Sequence, residues 1–303
     1  MISKKAINTE NFKRNWIYTK SAREAWSVII ENYRVLYPYG SILLPAYIGW
    51  SPNEGSGIFD PVKRSGLKYY FYNLGLRLQI DFEHFKQQVL ANKTSLVLLV
   101  HYFGFTDNNY KEIVHWLKNN NIFFVEDCAH ALLTDFIGGK CGRAGDFSFY
   151  SLHKILPIMD GGLIINNKPM VNSKMCLTKF NISYDLYNIY IKRISNYKYL
   201  TSLLKVLEQD FTLLHDNIED GFCPQTLPVI VENYNRDQLY KEMNLACFGL
   251  VSLYHTMISE LNDFSCDAVT ILSKKIINFP IHQDISFNDI DEMVNQLKKI
   301  IYA

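Results

Sequence analysis

Residues 123–167 contain the side chains with the clearest potential for chemistry. An apolar segment ends in Asp127, His130 follows one short turn later, and Lys154 precedes the pair Gly161 and Gly162. A lysine amine can carry an aldehyde as a Schiff base, and a carboxylate can keep the nitrogen of a bound heterocycle protonated. The spacing therefore predicts a site in which Lys154 and Asp127 hold the two ends of one ring-shaped aldehyde.

The elements that must position these side chains follow the pattern of an α/β sheet. Three short, β-rich apolar segments at Ser41–Pro45, 95–101 and 122–126 are typical of buried parallel strands, and residues 108–121 have helical spacing. A strand, a helix and a strand form a βαβ unit, and ligands bind at the carboxyl ends of such strands. Asp127 stands at such an end, which is where proteins that hold pyridoxal 5'-phosphate place an acid opposite a lysine.

The first helix is expected at residues 21–37. Ser21 is the N-cap candidate, and Ala25, Ile29 and Tyr33 share one apolar face. The amino end of a helix binds anions because its first backbone N–H groups have no partner within the helix. This end therefore predicts a phosphate site.

The pattern changes after Asn167 and indicates a smaller α+β domain. A long helical stretch begins near residue 184, and the following segments alternate between strand and helix. The expected elements are a helix at 184–209, a strand at 224–231, a helix at 236–248, a strand at Ile276–Pro280 and a helix at 288–301.

Composition limits the partners. The chain has 303 residues, 48% of them hydrophobic, so it can bury a large core. Its formal net charge is +1, so the protein as a whole has no positive electrostatic potential that would attract nucleic acid or an anionic membrane. No segment has the about 18 consecutive apolar residues of a membrane span, so we expect a soluble protein. The six cysteines lack a C-x-x-C pair, which favours reduced thiols in the cytoplasm over disulfides or a zinc site.

Several segments, taken in order, resemble the DegT/DnrJ/EryC1/StrS family. They are Leu-Pro-Ala-Tyr at 44–47, His-Tyr-Phe-Gly at 101–104, Val-Glu-Asp-Cys-Ala-His at 125–130, Gly-Asp-Phe-Ser-Phe-Tyr-Ser-Leu-His-Lys at 145–154, Asp-Gly-Gly at 160–162 and Ile-Asn-Phe-Pro-Ile-His at 277–282.

The resemblance implies a fold and an activity. The fold is that of fold-type-I pyridoxal phosphate enzymes, with a mainly parallel seven-stranded sheet between helices at 1–183 and a smaller α+β domain at 184–303. The activity is an aminotransferase that moves an amino group from glutamate to a nucleotide-linked keto-sugar, for a surface polysaccharide or natural product. A homodimer is also implied.

The resemblance assigns roles residue by residue. Lys154 is the Schiff-base lysine, Asp127 faces the pyridine nitrogen, and His130 packs on the cofactor ring. Ser21, Ala22 and Arg23 open the helix that holds the phosphate, and Arg23 adds a charge-assisted contact.

Some of these residues also have a purely structural explanation. Asp127 could cap a helix and His130 could be a core histidine. Tyr47 is assigned to the cofactor pocket, but an aromatic residue after a strand is more often core, and the same holds for Trp50 and His101.

The phosphate-binding serine departs from the family pattern. Many relatives have a serine five residues before the lysine, where this chain has Phe149. Ser148 lies six before and Ser151 three before. We favour Ser151.

A second departure leaves other functions open. Relatives have several dozen more residues after the glycine pair, including an asparagine that contacts the partner subunit's phosphate, and Asn181 is the only counterpart here. The shortened segment is compatible with a noncatalytic binding or regulatory protein. A dehydratase of the same family would have histidine in place of the lysine, but here His153 is adjacent and Lys154 occupies the position. A dinucleotide-binding oxidoreductase is disfavoured because no G-x-G-x-x-G follows the first strand.

Overall fold

The computed structural model describes residues 14, 16–93, 96–168 and 182–302. Ten strands form two sheets in this part of the chain. The larger sheet contains β1 Trp16–Thr19, β2 Ser41–Pro45, β3 Lys68–Tyr72, β4 Leu96–Val100, β5 Phe123–Asp127, β6 Phe147–Ser151 and β7 Gly162–Asn166. The smaller sheet contains β8 Phe211–Leu213, β9 Thr226–Val231 and β10 Ile276–Pro280.

The larger sheet is mainly parallel, as predicted. Its order is β1-β7-β6-β5-β4-β2-β3, and only β7 runs against the others, pairing antiparallel with β1 and β6. Strands β2 and β4 are buried along almost their whole length, because helices cover both faces of the sheet. The smaller sheet is antiparallel, with β9 between β10 and β8.

Helices occur on both sides of the larger sheet and around the smaller one. They are α1 Ala22–Leu36, α2 Phe59–Ser65, α3 Phe82–Ala91, α4 Tyr110–Asn119, α5 Leu132–Phe136, α6 Leu186–Leu204, α7 Arg236–Leu245, α8 Asp267–Lys275 and α9 Phe287–Ile301. Helix α1 begins as predicted, because the Ser21 side chain accepts a hydrogen bond from the Glu24 N–H. Its buried face includes Trp26, whose ring stacks on Phe149 of β6 with centroids 5.6 Å apart.

The two faces of β6 and β7 contribute to separate hydrophobic clusters. Phe149 and Ile164 belong to the core beneath α1, whereas Tyr150 and Ile165 pack with α5 and α6 on the other side. This alternation follows from the two-residue period of a strand. It decides which side chains of β6 can reach the site.

The five elements predicted after residue 184 are all present: α6, β9 and α7 are shorter than predicted, and α9 begins one residue earlier. The long helix ends at Leu204 before a 3₁₀ turn, Lys205–Leu207, and strand β10 has the predicted bounds. The boundary between a domain at 1–183 and a domain at 184–303 stays a prediction. Among the described helices, none combines the length and apolar character that a bilayer crossing requires.

Candidate functional site

The carboxyl ends of neighbouring strands place the predicted residues in one row. His101 follows β4, while Asp127 and Ser151 are the last residues of β5 and β6, which pair side by side. Gly162 begins the antiparallel strand β7 at the same edge, opposite Ser151. The sheet order therefore brings together residues that lie far apart in sequence.

The glycine pair joins the lysine loop to the start of α1. Gly161 has a backbone φ of +128°, which residues other than glycine rarely adopt. Its N–H donates to the Lys20 carbonyl at 2.9 Å. A Cβ on Gly162 would lie 2.4 Å from the backbone carbon and oxygen of Ser21. Only glycine permits this approach, so the pair fixes the amino end of α1 beside the lysine loop.

A cavity of about 540 Å³ opens at this edge. Its lining includes most of the predicted site residues: Ser21, Ala22, Arg23, Asp127, His130, Ser151 and Lys154. The structure thus gathers the predicted amine, acid and anion-binding helix end around one space. Asn181 lies outside the described residues.

Asp127 is a buried acid, and within the described part of the chain no cationic side chain is in direct contact with its carboxylate. Among the described residues, its one hydrogen bond comes from the Ala129 N–H to Oδ1 at 2.9 Å. Burial raises the pKa of Asp127 to about 6, while that hydrogen bond acts in the opposite direction. A cation placed against this carboxylate would remove the penalty of burying it.

Lys154 is half-buried and contacts His130, with Nζ 2.7 Å from the His130 Nε2. The other ring nitrogen, Nδ1, accepts the backbone N–H of Phe103 at 3.1 Å, so it cannot carry a proton. In the neutral ring, Nε2 then bears the hydrogen and donates it to the lone pair of an uncharged lysine. Burial lowers the pKa of Lys154 and that of His130, which agrees with two neutral groups.

The His130 ring is also held from the side. It stacks on Phe103 with centroids 6.0 Å apart and planes 19° apart. The predicted contact of His130 with a cofactor ring is compatible with its place in the cavity lining.

The amino end of α1 retains free donors. The Ser21 Oγ accepts from Glu24 N–H at 3.1 Å, and the first helical backbone bond, from Ala25 to the Ser21 carbonyl, is 3.0 Å long. The N–H groups of Ala22 and Arg23 are therefore left for an anion. The Arg23 Nε is buried, and none of the residues that the structure describes accepts a hydrogen bond from it, so the helix end also offers a charged donor to a ligand.

The structure separates the two serines of β6. Ser151 lines the cavity with its Oγ 3.3 Å from the His153 Nδ1. Ser148 faces the opposite side of the sheet, where its Oγ donates to the Gly142 carbonyl and accepts from the Tyr150 hydroxyl. The odd spacing between the two positions puts them on opposite faces.

The structure does not place Tyr47 in the cofactor pocket, to which the sequence analysis assigned it. Its side chain is completely buried and is absent from the cavity lining, and its hydroxyl donates to the Leu253 carbonyl at 3.2 Å. Tyr47 can be a core residue because its buried hydroxyl has a hydrogen-bond acceptor in the Leu253 carbonyl. Trp50 and His101 do line the cavity, although the His101 Nε2 is engaged by Glu126 at 2.9 Å.

Glu126 organises the loop beneath the site. This fully buried carboxylate accepts hydrogen bonds from the His101 Nε2, the Tyr110 hydroxyl and the N–H groups of Gly142, Ala144 and Gly145. Burial acts to raise its pKa, but these hydrogen bonds outweigh burial and lower the pKa to about 2. Glu126 therefore supports the strand end that carries Asp127.

Sequence reasoning missed most of two cavity segments, although it considered Trp50 in the first of them. One is the loop after β2, where Glu54 lies near enough to raise the pKa of Lys154, and the other is the segment 252–255, which includes Tyr254. Neither has helical or strand periodicity. Gly49, four residues after the end of β2, was the one signal that another segment approaches closely there.

A group of possible metal ligands lies behind the cavity. One ligand atom each of His101, Cys128 and Cys141 lies within 4.8 Å of the others. Burial raises the pKa of both thiols, which keeps them protonated and makes them poor ligands. We assign this group to core packing.

The donor set fits pyridoxal 5'-phosphate. Asp127 offers a buried anion for the pyridinium, Lys154 offers a neutral amine for the aldehyde, and α1 with Arg23 offers donors for the phosphate dianion. The buried Arg23 Nε is suited to an anionic group of a ligand, and the raised pKa of Asp127 indicates that its carboxylate is suited to a cationic one.

Comparison with known proteins agrees with this geometry. Residues 59–183 match the family model described as the DegT/DnrJ/EryC1/StrS aminotransferase family, which confirms the predicted resemblance. A relative, GDP-perosamine synthase from Escherichia coli O157:H7, is 32% identical over 83 residues, which are 27% of this chain and 22% of the relative. The aligned segment therefore spans about a fifth of that protein.

Two solved structures share the fold over most of this chain. A DegT DnrJ EryC1 StrS aminotransferase from Brucella abortus superimposes with a TM-score of 0.73 at 14% identity, covering 94% of this chain and 85% of that one. GDP-4-keto-6-deoxy-D-mannose-3-dehydratase from E. coli, with bound hydrated PLP, gives 0.74 at 19% identity, covering 96% and 89%. The predicted α/β fold, that of fold-type-I pyridoxal phosphate enzymes, is confirmed.

Proposed function

We propose that this chain, whose residues 59–183 match the DegT/DnrJ/EryC1/StrS aminotransferase family model, is a pyridoxal phosphate-dependent aminotransferase. It transfers an amino group from glutamate to a nucleotide-linked keto-sugar in polysaccharide or natural-product biosynthesis. One observation carries the proposal: the Lys154 amine and the buried Asp127 carboxylate line the same cavity as the open amino end of α1.

Each residue then has a chemical task. Bound pyridoxal phosphate supplies an electron sink for the pair of electrons released at the substrate carbon. Asp127 holds the pyridine nitrogen protonated, and Ala22, Arg23 and Ser151 hold the phosphate. The Lys154 Nζ would move a proton between the substrate carbon that bears nitrogen and the aldehyde carbon of the cofactor, and burial, which lowers the pKa of Lys154, favours the neutral amine that this transfer needs.

The His130 side chain has a positioning task in this scheme. Its Nε2–H donates to the Lys154 amine, and the Phe103 N–H holds the ring in that tautomer. The lone pair of Lys154 is thereby kept at one place in the cavity.

The proposal extends to a cytoplasmic homodimer. The five described cysteines are free thiols, which supports a reducing compartment. Light scattering of the purified protein tests the dimer, and one subunit mass per particle contradicts it.

The experiment is a half-reaction. Protein loaded with pyridoxal phosphate should be yellow, and excess glutamate should bleach the visible band and release one equivalent of 2-oxoglutarate per site. Adding nucleotide-linked keto-sugars should restore the band with formation of an amino sugar. Lys154→Ala should abolish both steps, and Lys192→Ala, which removes an exposed lysine of α6, should not.

The other outcomes identify the alternatives. Loss of a sugar hydroxyl with release of ammonia and no amino sugar would indicate a dehydratase. Cofactor uptake without 2-oxoglutarate would indicate a noncatalytic binding protein. Either result overturns the aminotransferase.

A further inference from the structure

Tyr254 occupies a space that is left open by Gly49. The tyrosine lies in the cavity lining, and a Cβ placed on Gly49 would be 2.0 Å from the Tyr254 Cδ1. The ring therefore fills the position that any side chain at residue 49 would take. It comes from a segment 205 residues later (254 − 49) and supplies an aromatic surface at the end of β2.

The ring is oriented by its neighbours. It meets Tyr47 and Tyr102 edge to face, with centroids 5.1 Å and 6.0 Å apart. It is parallel to His130 within 21°, with centroids 6.4 Å apart. A flat group stacked between two rings makes one contact of about 3.5 Å with each, so the rings would lie about 7 Å apart. The observed separation is close to this value, and the two rings therefore suit a flat group bound between or beside them.

The backbone of Tyr254 is held in an unfavourable conformation. Its φ is +64°, in the left-handed region that bulky residues rarely adopt. Neighbouring backbone bonds maintain it: the Trp50 N–H donates to Thr256 at 2.9 Å, and the Ile258 N–H donates to Ile48 at 3.1 Å. Such strain persists where the surroundings over-determine the geometry, and it concentrates at functional sites.

The same segment is attached to the smaller sheet. Val251 and Asn278 of β10 exchange two backbone hydrogen bonds of 3.0 Å and 2.7 Å, and Arg236 of α7 donates to the Ser252 hydroxyl. We call residues 251–258 the strap, since they connect the smaller sheet to the end of β2. Tyr254 stands in the middle of the strap.

The hydroxyl of Tyr254 is available to a ligand. It makes none of the described hydrogen bonds, and Tyr254 is one of the residues that line the cavity. Burial raises the pKa of Tyr254 and the charge of Asp127 raises it further, so the group stays a protonated donor beside that carboxylate.

We propose that Tyr254 packs its ring on one face of the bound pyridoxal heterocycle and so lets the strap hold the cofactor in place. This inference rests on the proposed function. The contact is aromatic, so the ring carries it and the hydroxyl is secondary. Loading with pyridoxal phosphate then ties the smaller sheet to the carboxyl edge of the larger one.

The test measures the dissociation constant of pyridoxal phosphate by absorbance titration of the full-length apoprotein. Tyr254→Ala should weaken binding about 10-fold or more, and Tyr254→Phe should stay within about 3-fold of wild type. Tyr240→Ala, which removes an exposed tyrosine of α7, is the matched control and should not change the constant. Thermal unfolding of each apoprotein verifies that the fold is retained.

A second pair of variants tests the shared space. Gly49→Ala should weaken cofactor binding because its methyl group displaces the tyrosine ring. In a Tyr254→Ala background the same change should have no further effect. Additive losses in the double variant would overturn the inference.

Failure of this inference differs from failure of the proposed function. If wild type binds pyridoxal phosphate and Tyr254→Ala binds it equally well, the stacking role is wrong and the enzyme proposal stands. If wild type takes up no cofactor at all, the proposed function itself is wrong.

Discussion

The Lys154 Nζ lies 2.7 Å from the His130 Nε2, and the Phe103 N–H occupies the other nitrogen of that imidazole. A backbone N–H can only donate, so His130 is left with one proton to give and Lys154 with a lone pair to receive it. The contact is therefore formed by two uncharged groups. A lysine that is already neutral can act as nucleophile and base without first losing a proton to water.

Lys154→Met should abolish a pH dependence of stability. Because burial lowers the lysine pKa, the unfolded chain binds the proton more tightly, and wild-type apoprotein should become more stable as the pH rises from 8 toward 10, on the approach to the ordinary lysine value of 10.5. The variant has no amine, so it should lack this increase and be at least as stable as wild type at pH 8. Urea unfolding at both pH values measures the effect. Lys192→Met should keep the increase, and an increase retained in Lys154→Met would contradict the assignment.

Asp127→Asn should stabilise the apoprotein at neutral pH. The folded-state pKa of about 6 is above that of the unfolded chain, so protonation stabilises the fold at low pH, and this stabilisation is lost as the pH rises through about 6. The neutral asparagine avoids the loss, so the variant should gain up to about 3 kcal/mol at pH 7 and nothing at pH 4. Urea unfolding again decides, and a variant less stable than wild type at pH 7 refutes the claim.

The same variant should bind the cofactor poorly. Wild-type affinity for pyridoxal phosphate should increase as the pH rises through about 6, since the ionised carboxylate then meets the pyridinium. In Asp127→Asn this component of the pH dependence should vanish, and at pH 7 the affinity should be at least about 10-fold lower. Equal affinities for the two proteins at pH 7 would contradict the assignment of Asp127 to the cofactor site.

Glu126→Gln should destabilise the fold by about 3 kcal/mol, because an amide N–H₂ would replace a carboxylate oxygen that faces hydrogen-bond donors. The lowered pKa of about 2 means that the carboxylate stabilises the fold above the unfolded value, and that this contribution is lost as the pH falls toward 2. The variant should lack that loss. Chemical denaturation measures both effects, with the exposed Glu112→Gln as a control that should be neutral. Wild-type stability in Glu126→Gln would be the contrary result.

The two serines of β6 should respond in opposite ways. Ser151→Ala should weaken pyridoxal phosphate binding about 10-fold and leave the affinity for pyridoxal unchanged, since only the phosphate contact is lost. Ser148→Ala should leave both affinities intact and cost about 1 kcal/mol of stability, because it removes bonds to Gly142 and Tyr150. Titrations with both ligands and a urea unfolding curve separate the outcomes. The reverse pattern would assign the phosphate to Ser148.

Residues that act through local interactions were predictable. Ser21 caps α1 as expected, because a serine before an apolar helical pattern satisfies N–H groups within the same turn. Strand β10 was found with its bounds, and β2 likewise, because their apolar β-rich segments end in prolines. The family resemblance connected Asp127 to Lys154 through their order along the chain.

Contacts between distant positions were not predictable where no family motif connected them. Tyr47 was expected in the cavity, and the structure instead places Tyr254 there, with Tyr47 packed behind it. The strap that carries Tyr254 has no periodicity of its own, and the strand β1 that pairs with β7 was also missed.

The sequence by itself determined which chemical groups this protein has, their order, and the caps and strands formed by near neighbours. The tertiary structure decided which of those groups share a cavity. Because side chains alternate along β6, Ser151 faces the cavity and Ser148 faces away from it. The close approach of the strap to Gly49 places Tyr254 beside His130. The physical reason is range. Caps and periodic patterns involve residues within a few positions of each other, whereas ring packing and strand adjacency join residues some hundred or two hundred positions apart, whose proximity exists only once the sheet has formed.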